Sequence, residues 1–310
     1  MYQVSSNPHI RDKATTASIM RDVIIALIPA ALFGIWNFGG MAALNIIVAV
    51  AAAVGAEWLF QYFTKQKITV KDLSAVVTGL LLALNVPADL PVWMTAIGSI
   101  FAIVVVKQVF GGVGQNFMNP ALAGRVFLFL SFSQQMTSFS YDGVTSATPL
   151  KLLKDSGEVT GLKSMFLGTE AGTIGETSVL ALLIGAIYLL VKKIIDYRIP
   201  LFYLVSFLVC MALFGGHGLD VEFLSAQLCG GGLILGAFFM ATDYATSPIT
   251  PVGRIVFGIL LGILTAVFRV FGPNAEGVSY AIIFCNLLVP IVEKYTVPKM
   301  FGAVKKKKEA

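Results

Sequence analysis

Charge is what this sequence has least of. Of its 310 residues only 13% are charged and 57% are apolar, with a mean hydropathy of +0.84. Soluble domains run nearer 25% charged and roughly 45 to 50% apolar. Such a chain cannot dress a soluble surface, so the expected fold class is an all-α polytopic membrane protein. Metal ligands are equally scarce. Cys210, Cys229 and Cys285 all lie in apolar segments without Cys-x-x-Cys spacing, and His9 and His217 are the only histidines. No metal or iron–sulfur site is expected from these, and the cysteines read as small packing residues. No signal peptide is expected either, because the first 20 residues are polar and contain no apolar core.

What is present is a series of apolar runs. Crossing roughly 30 Å of hydrocarbon takes about 20 helical residues. Ten candidates lie near 20–38, 41–64, 73–87, 91–110, 119–133, 177–194, 199–215, 221–241, 252–271 and 277–297. The third and fifth are short and are expected inside the bundle. With the N-terminus placed in the cytoplasm and the spans alternating, most Lys and Arg fall inside, Arg125 and the Lys305–Lys308 tail among them. Lys151, Lys154, Lys163 and Arg269 fall outside. The pI near 9.0 then reflects orientation and contact with anionic lipid rather than nucleic acid.

Short strings recur. Leu73-Ser74-Ala75 with Gly79 returns as Leu224-Ser225-Ala226 with Gly230, and Val109-Phe110-Gly111 returns as Val270-Phe271-Gly272. Their positions match if the chain is two five-helix halves, and an odd number of spans inverts the second half. The expected layout is a cytoplasmic N-terminal segment (1–19), a first repeat (20–133), an extracytoplasmic loop (134–176), a second repeat (177–298) and a basic cytoplasmic tail (299–310). Irregular segments at 111–120 and 242–251 mark one interrupted element in each half, where such folds place binding sites. The glycines Gly230, Gly231, Gly232 and Gly236 read as small residues for close helix approach.

The loop 134–176 is the longest polar stretch and holds Asp142-Gly143-Val144-Thr145-Ser146-Ala147-Thr148-Pro149-Leu150. Thr148-Pro149 reads as a helix cap followed by proline at the first helical position, with a short amphipathic helix running to Gly157. The same threonine, at a helix N-terminus with Lys151 and Lys154 in reach, also reads as a phosphoester acceptor.

The pattern Asp142-x-x-Thr145-Ser146-Ala147-Thr148 resembles the flavinylation motif Asp-x-x-(Ser/Thr)-Gly-Ala-Thr, with Ser146 in place of the usual glycine. Residues 5–30, NFMNPALAGRVFLFLSF (116–132) and FFMATDYATSPITPVGRI (238–255) are similar to the D subunits of Rnf ion-translocating electron-transport complexes, themselves similar to the B subunits of sodium-pumping NADH:quinone oxidoreductases. The resemblance implies a membrane subunit carrying FMN, esterified by a flavin transferase to Thr148 on the outer face, with Asp142, Thr145, Ser146 and Lys151 in support. It implies a complex that exchanges electrons between ferredoxin and NAD while moving Na⁺ or H⁺ outward, with other Rnf subunits as partners. Relatives hold a second, non-covalent flavin, for which Asn116, Asn119, Asp243 and Thr246 are the candidates here.

Some readings stay open at this level. Asn119-Pro120 and Thr250-Pro251 also read as plain caps. Glu57, the most interior acid, stands either on an ion path or in a structural pair with a base such as Arg125. Ten spans in inverted halves would equally serve a solute channel or secondary transporter without a redox cofactor.

Overall fold

The computed structural model describes residues 14–141, 144–145, 147–157, 161–272 and 275–298. His9, Asp142, Ser146 and the basic tail lie outside the described residues, and Thr145 is described by its backbone alone.

Every expected apolar segment is helical. The first helix, α1 (Thr16–Phe38), starts at a capping box in which the Thr15 and Ser18 side chains each accept from the other's backbone N–H. It is followed by α2 (Gly40–Phe63), α3 (Ser74–Leu84) and α4 (Val92–Phe101), which continues as a π-helix over Ala102–Gln108. Then come α5 (Pro120–Ser131) and the single turn α6 (Ser133–Met136). The later elements are α9 (Val179–Val191), α10 (Arg198–Phe214), α11 (Val221–Cys229), α12 (Leu233–Leu235) with its π-helical extension Gly236–Met240, α13 (Pro251–Phe271) and α14 (Val278–Thr296).

Four helices, α1, α2, α13 and α14, are long and apolar enough to cross a membrane; the bent pair of α11 with Leu233–Met240 makes a fifth if it is one span. The remaining apolar helices are shorter, and α3 is almost entirely buried, as its length requires. Large apolar side chains such as Trp36, Ile47, Leu130 and Val191 are exposed on the outside of the bundle, the pattern of a polytopic membrane protein whose surface meets lipid.

The polar stretch after α6 folds into small pieces. A hairpin pairs β1 (Ser140–Tyr141) with β2 (Val144–Thr145), and two short helices follow, α7 (Pro149–Ser156) and α8 (Leu162–Leu167). Gly157 ends α7 in the left-handed conformation at φ 73°, as the sequence predicts. Phe38, at the end of α1, packs edge-on against Tyr141, and Asn37 donates to the Gly168 carbonyl. The 134–176 segment therefore sits at the end of the bundle where α1 finishes. At the opposite end, where α1 begins, lie the irregular segments 109–119 and 241–250.

One break departs from the sequence reading. Gly231 and Gly232 both adopt φ +66°, and the helix bends by 62° between α11 and its continuation. Of the glycines read as packing residues, Gly231 and Gly232 interrupt the chain instead, while Gly236 does pack closely, a Cβ there lying 2.4 Å from Val278. Arg269 of α13 takes up the freed carbonyls, donating to Gly230 O (2.8 Å) and Gly231 O (3.3 Å), and it also donates to Gln227 O (2.5 Å).

Candidate functional site: two cavities at opposite ends

Thr148 occupies the N-cap position of α7, but its hydroxyl makes no capping bond. The contrast is with Asn119, Ser178 and Thr250, whose side chains accept from their helices. Thr148 instead lines a cavity of about 430 Å³. Phe129, Met136, Phe139 and Tyr280 supply apolar and aromatic wall, and Lys151 stands at the same cavity. Lys154 lines it too, but its ammonium is committed to the Arg269 and Gly272 carbonyls.

The floor of this cavity is Arg125. Its guanidinium donates to Glu176 Oε1 (2.9 Å), Glu276 Oε2 (2.6 Å), Asn85 Oδ1 (3.0 Å) and Ser279 Oγ (3.1 Å). The arginine placed at the cytoplasmic side from sequence thus belongs to the Thr148 cavity. Its alternative pairing with Glu57 does not occur, because α5 points it towards the loops before α9 and α14. Burial pushes the Glu176 carboxyl up to about 7, against the pull of Arg125, and the nearby Glu276 adds to the rise.

Glu170 lies in the same outer segment. One of its carboxylate oxygens is buried without a hydrogen bond, and burial raises its pKa to about 7 from an ordinary 4.5. A raised acid in the native state binds more protons than the unfolded chain between these two values. Its stabilising contribution is therefore complete below pH 4.5 and is lost as pH rises through about 7. Glu170→Gln is expected to raise the melting temperature of the detergent-solubilised protein at about pH 8 and to leave it nearly unchanged at about pH 4.5.

The second cavity, about 250 Å³, lies at the other end, lined by Asn116, Asn119, Lys107 and Asp243 together with apolar side chains of α1, α3 and the π-helix of α12. The sequence candidates Asn116, Asn119 and Asp243 do meet here. Thr246 does not line it; its hydroxyl donates to Asp243 Oδ2 at 3.1 Å from behind. Asn119 has two tasks, accepting from Ala121 and Leu122 N–H as the cap of α5 and donating to Met240 O at 3.2 Å. Burial pushes the Asp243 carboxyl up, offset in part by Thr246, the Ala245 N–H, Asn116 and Lys107.

Glu57 is fully buried and has its own partner. Lys107 in the π-helix donates to Glu57 Oε2 at 2.8 Å and to Ser74 Oγ at 2.6 Å, while Gln108 donates to Glu57 Oε1 at 2.9 Å. The structural pair of its two readings is formed, with Lys107 in place of Arg125.

Sequence reasoning missed Glu176 and Glu276. An arginine inside an apolar run demands an anion, and these two acids stand at the mouths of later apolar runs, but 51 and 151 residues away.

Fold and site together define a polytopic membrane protein with a cavity at each end of an apolar bundle, each lined in part by polar and charged side chains. The chain belongs to the NQR2, RnfD, RnfE family, whose family model matches residues 3–302. It is 47% identical over 315 residues to the D subunit of the Na⁺-translocating ferredoxin:NAD⁺ oxidoreductase complex of Acetobacterium woodii, covering 99% of this chain and 97% of that one. It is 41% identical to the D subunit of the proton-translocating ferredoxin:NAD⁺ oxidoreductase complex of Clostridium ljungdahlii, covering 97% and 96%. The D subunit of an ion-translocating oxidoreductase complex from Actinobacillus succinogenes is 36% identical, with 97% and 98% covered.

Proposed function

We propose that this chain is the membrane flavoprotein subunit of a complex coupling electron transfer between ferredoxin and NAD to outward Na⁺ or H⁺ translocation, with FMN held as a phosphoester by Thr148. The observation that carries this reading is Thr148, whose hydroxyl makes no capping bond and which lines a cavity of about 430 Å³. The residues present fit a flavin. Aromatic and thioether groups offer faces for a fused ring, Arg125 with its two carboxylate partners closes the cavity behind them, and Lys151 stands beside the threonine that would carry the phosphate. When bound, FMN supplies one- and two-electron redox chemistry. Thr148 would tether it, the aromatic walls would orient it and exclude water, and Arg125, held between Glu176 and Glu276, would stand behind it.

The orientation follows from charge: Lys65, Lys67, Lys71, Lys192, Lys193, Arg198 and Arg254 gather at the end opposite Thr148, which supports a cytoplasmic position for that end and an outer position for the Thr148 cavity. The two-repeat layout has support in the pairing of elements. Helices α2 and α4 pack together as α10 and α13 do, and the pairs α1 with α9 and α5 with α14 meet as they would about a pseudo-twofold axis. That layout counts ten helical elements through the membrane, several of them short or broken. The cytoplasmic cavity, with Asn116, Asn119 and Asp243, is the place for a second, non-covalent flavin. The remaining Rnf subunits are the partners, and a flavin transferase is required for maturation.

In-gel fluorescence of the denatured chain, expressed with a flavin transferase, tests this against the transporter reading. Flavin fluorescence that survives denaturation is expected. A dark band from cells that flavinylate a control protein would favour the transporter.

A further inference from the structure

We infer that Glu176 is a proton-holding positioning residue for the cofactor of the Thr148 cavity: acting through Arg125, it takes up one proton when the cavity gains an electron and releases it when the electron leaves. The inference rests on the flavin reading above and goes beyond it.

The geometry begins with an imbalance. One guanidinium, Arg125, serves two carboxylates, Glu176 at 2.9 Å and Glu276 at 2.6 Å. With both acids ionised the cluster carries one net negative charge, and an electron arriving on the other side of Arg125 would add a second. Two uncompensated charges in a poorly solvated site cost far more than in water. Of the two carboxylates, Glu276 is partly open to the cavity whereas the Glu176 side chain is 5% exposed, so the cost falls most heavily on Glu176. Its raised pKa agrees with this.

The groups facing Glu176 are few. Arg125 approaches from α5 and Glu276 from the segment before α14. Thr173 and Glu170 belong to its own loop, and Cys229 lies across from it at the helix break. Arg269 of α13 stands beyond the Gly230 and Gly231 carbonyls it holds. Gly232 packs so closely that a Cβ there would lie 2.2 Å from Glu176 Oε1, which pins the carboxylate in place. A narrow cleft of about 40 Å³ runs past Glu170, Glu176, Glu276 and Thr148. That is room for a water or two, and hence a route for a proton.

The step balances. One electron leaves a reduced iron–sulfur carrier, which is thereby oxidised, and would reduce by one electron the flavin that Thr148 would hold. One proton leaves the outer aqueous phase, crosses the cleft and converts the Glu176 carboxylate to the acid. When the next carrier draws the electron out and is reduced, the same proton returns to water.

The test is a spectroscopic redox titration of the purified, flavin-loaded protein between about pH 5.5 and about pH 9. In the wild type the midpoint potential is expected to fall with an additional pH-dependent segment starting near pH 7, where the oxidised form of the site begins to lose its Glu176 proton. Glu176→Gln is expected to lose that segment and to keep the higher potential at alkaline pH, while Glu170→Gln retains it. Persistence of the segment in Glu176→Gln, or its loss in Glu170→Gln alone, would overturn the inference. Should Glu176→Gln fail to fold, reduction-induced infrared difference spectra of the wild type decide: a protonated-carboxyl band that grows on reduction supports the inference, and no such band refutes it. A chain that carries no flavin overturns this inference together with the function it rests on; a flavin whose potential lacks the segment overturns this inference alone.

Discussion

Arg125→Met is expected to lower the stability of the detergent-solubilised protein by about 3 to 5 kcal/mol, the cost of breaking a buried ion pair from one side. The residue is 8% exposed and makes four hydrogen bonds, two of them to carboxylates. Methionine matches its length and suits the apolar part of its path, so the loss is electrostatic. Glu176 and Glu276 are left to repel each other without a cation, and Asn85 and Ser279 lose their donor. Adding Glu176→Gln and Glu276→Gln to the same chain is expected to recover much of the loss, since three neutral side chains carry no unpaired charge; the effects are therefore strongly non-additive. Thermal unfolding of the single and triple variants measures it, and a triple variant no more stable than Arg125→Met would show that packing, not charge, is what Arg125 provides.

The second large effect concerns shape. Gly185 of α9 lies against the backbone of α1, and a Cβ there would stand 2.0 Å from the Ala26 carbonyl oxygen and 3.0 Å from the Phe239 ring. No rotamer relieves a clash with backbone, so Gly185→Leu must separate α1 from α9 and is expected to cost about 3 kcal/mol. Gly55, inside α2, meets nothing within 4 Å of an added Cβ. Gly55→Ala is expected to stabilise by roughly 0.5 to 1 kcal/mol through helix propensity alone. Opposite signs for two glycines in two apolar helices would be visible in the melting temperatures.

The apolar runs were legible because length and composition alone mark helices in a bilayer, and α7 was legible because Thr148-Pro149 and Gly157 are local start and stop signals. The limits of that reading are equally physical. Gly230-Gly231-Gly232 could not be told from a close-packing stripe, because the same absence of a side chain permits both close approach and positive φ. The partners of Arg125 stayed hidden because nothing in a sequence links residue 125 to residues 176 and 276 except the need for counter-charge. Glu57 showed the same limit in milder form: its burial was anticipated, but its partner came from a π-helix, whose register the apolar run 91–110 gives no means of reading. In the second cavity Asn116, Asn119 and Asp243 come together because each sits beside an irregular segment, and Thr246 joins them through its hydrogen bond to Asp243.

The most direct measurement is intact mass of the chain, wild type and Thr148→Ala, each expressed with a flavin transferase and analysed after denaturation. The expected result is a wild-type mass increased by that of FMN less one water, carried on the peptide containing Thr148, and an unmodified Thr148→Ala chain. An unmodified wild type, or an increment that persists in Thr148→Ala, would contradict it.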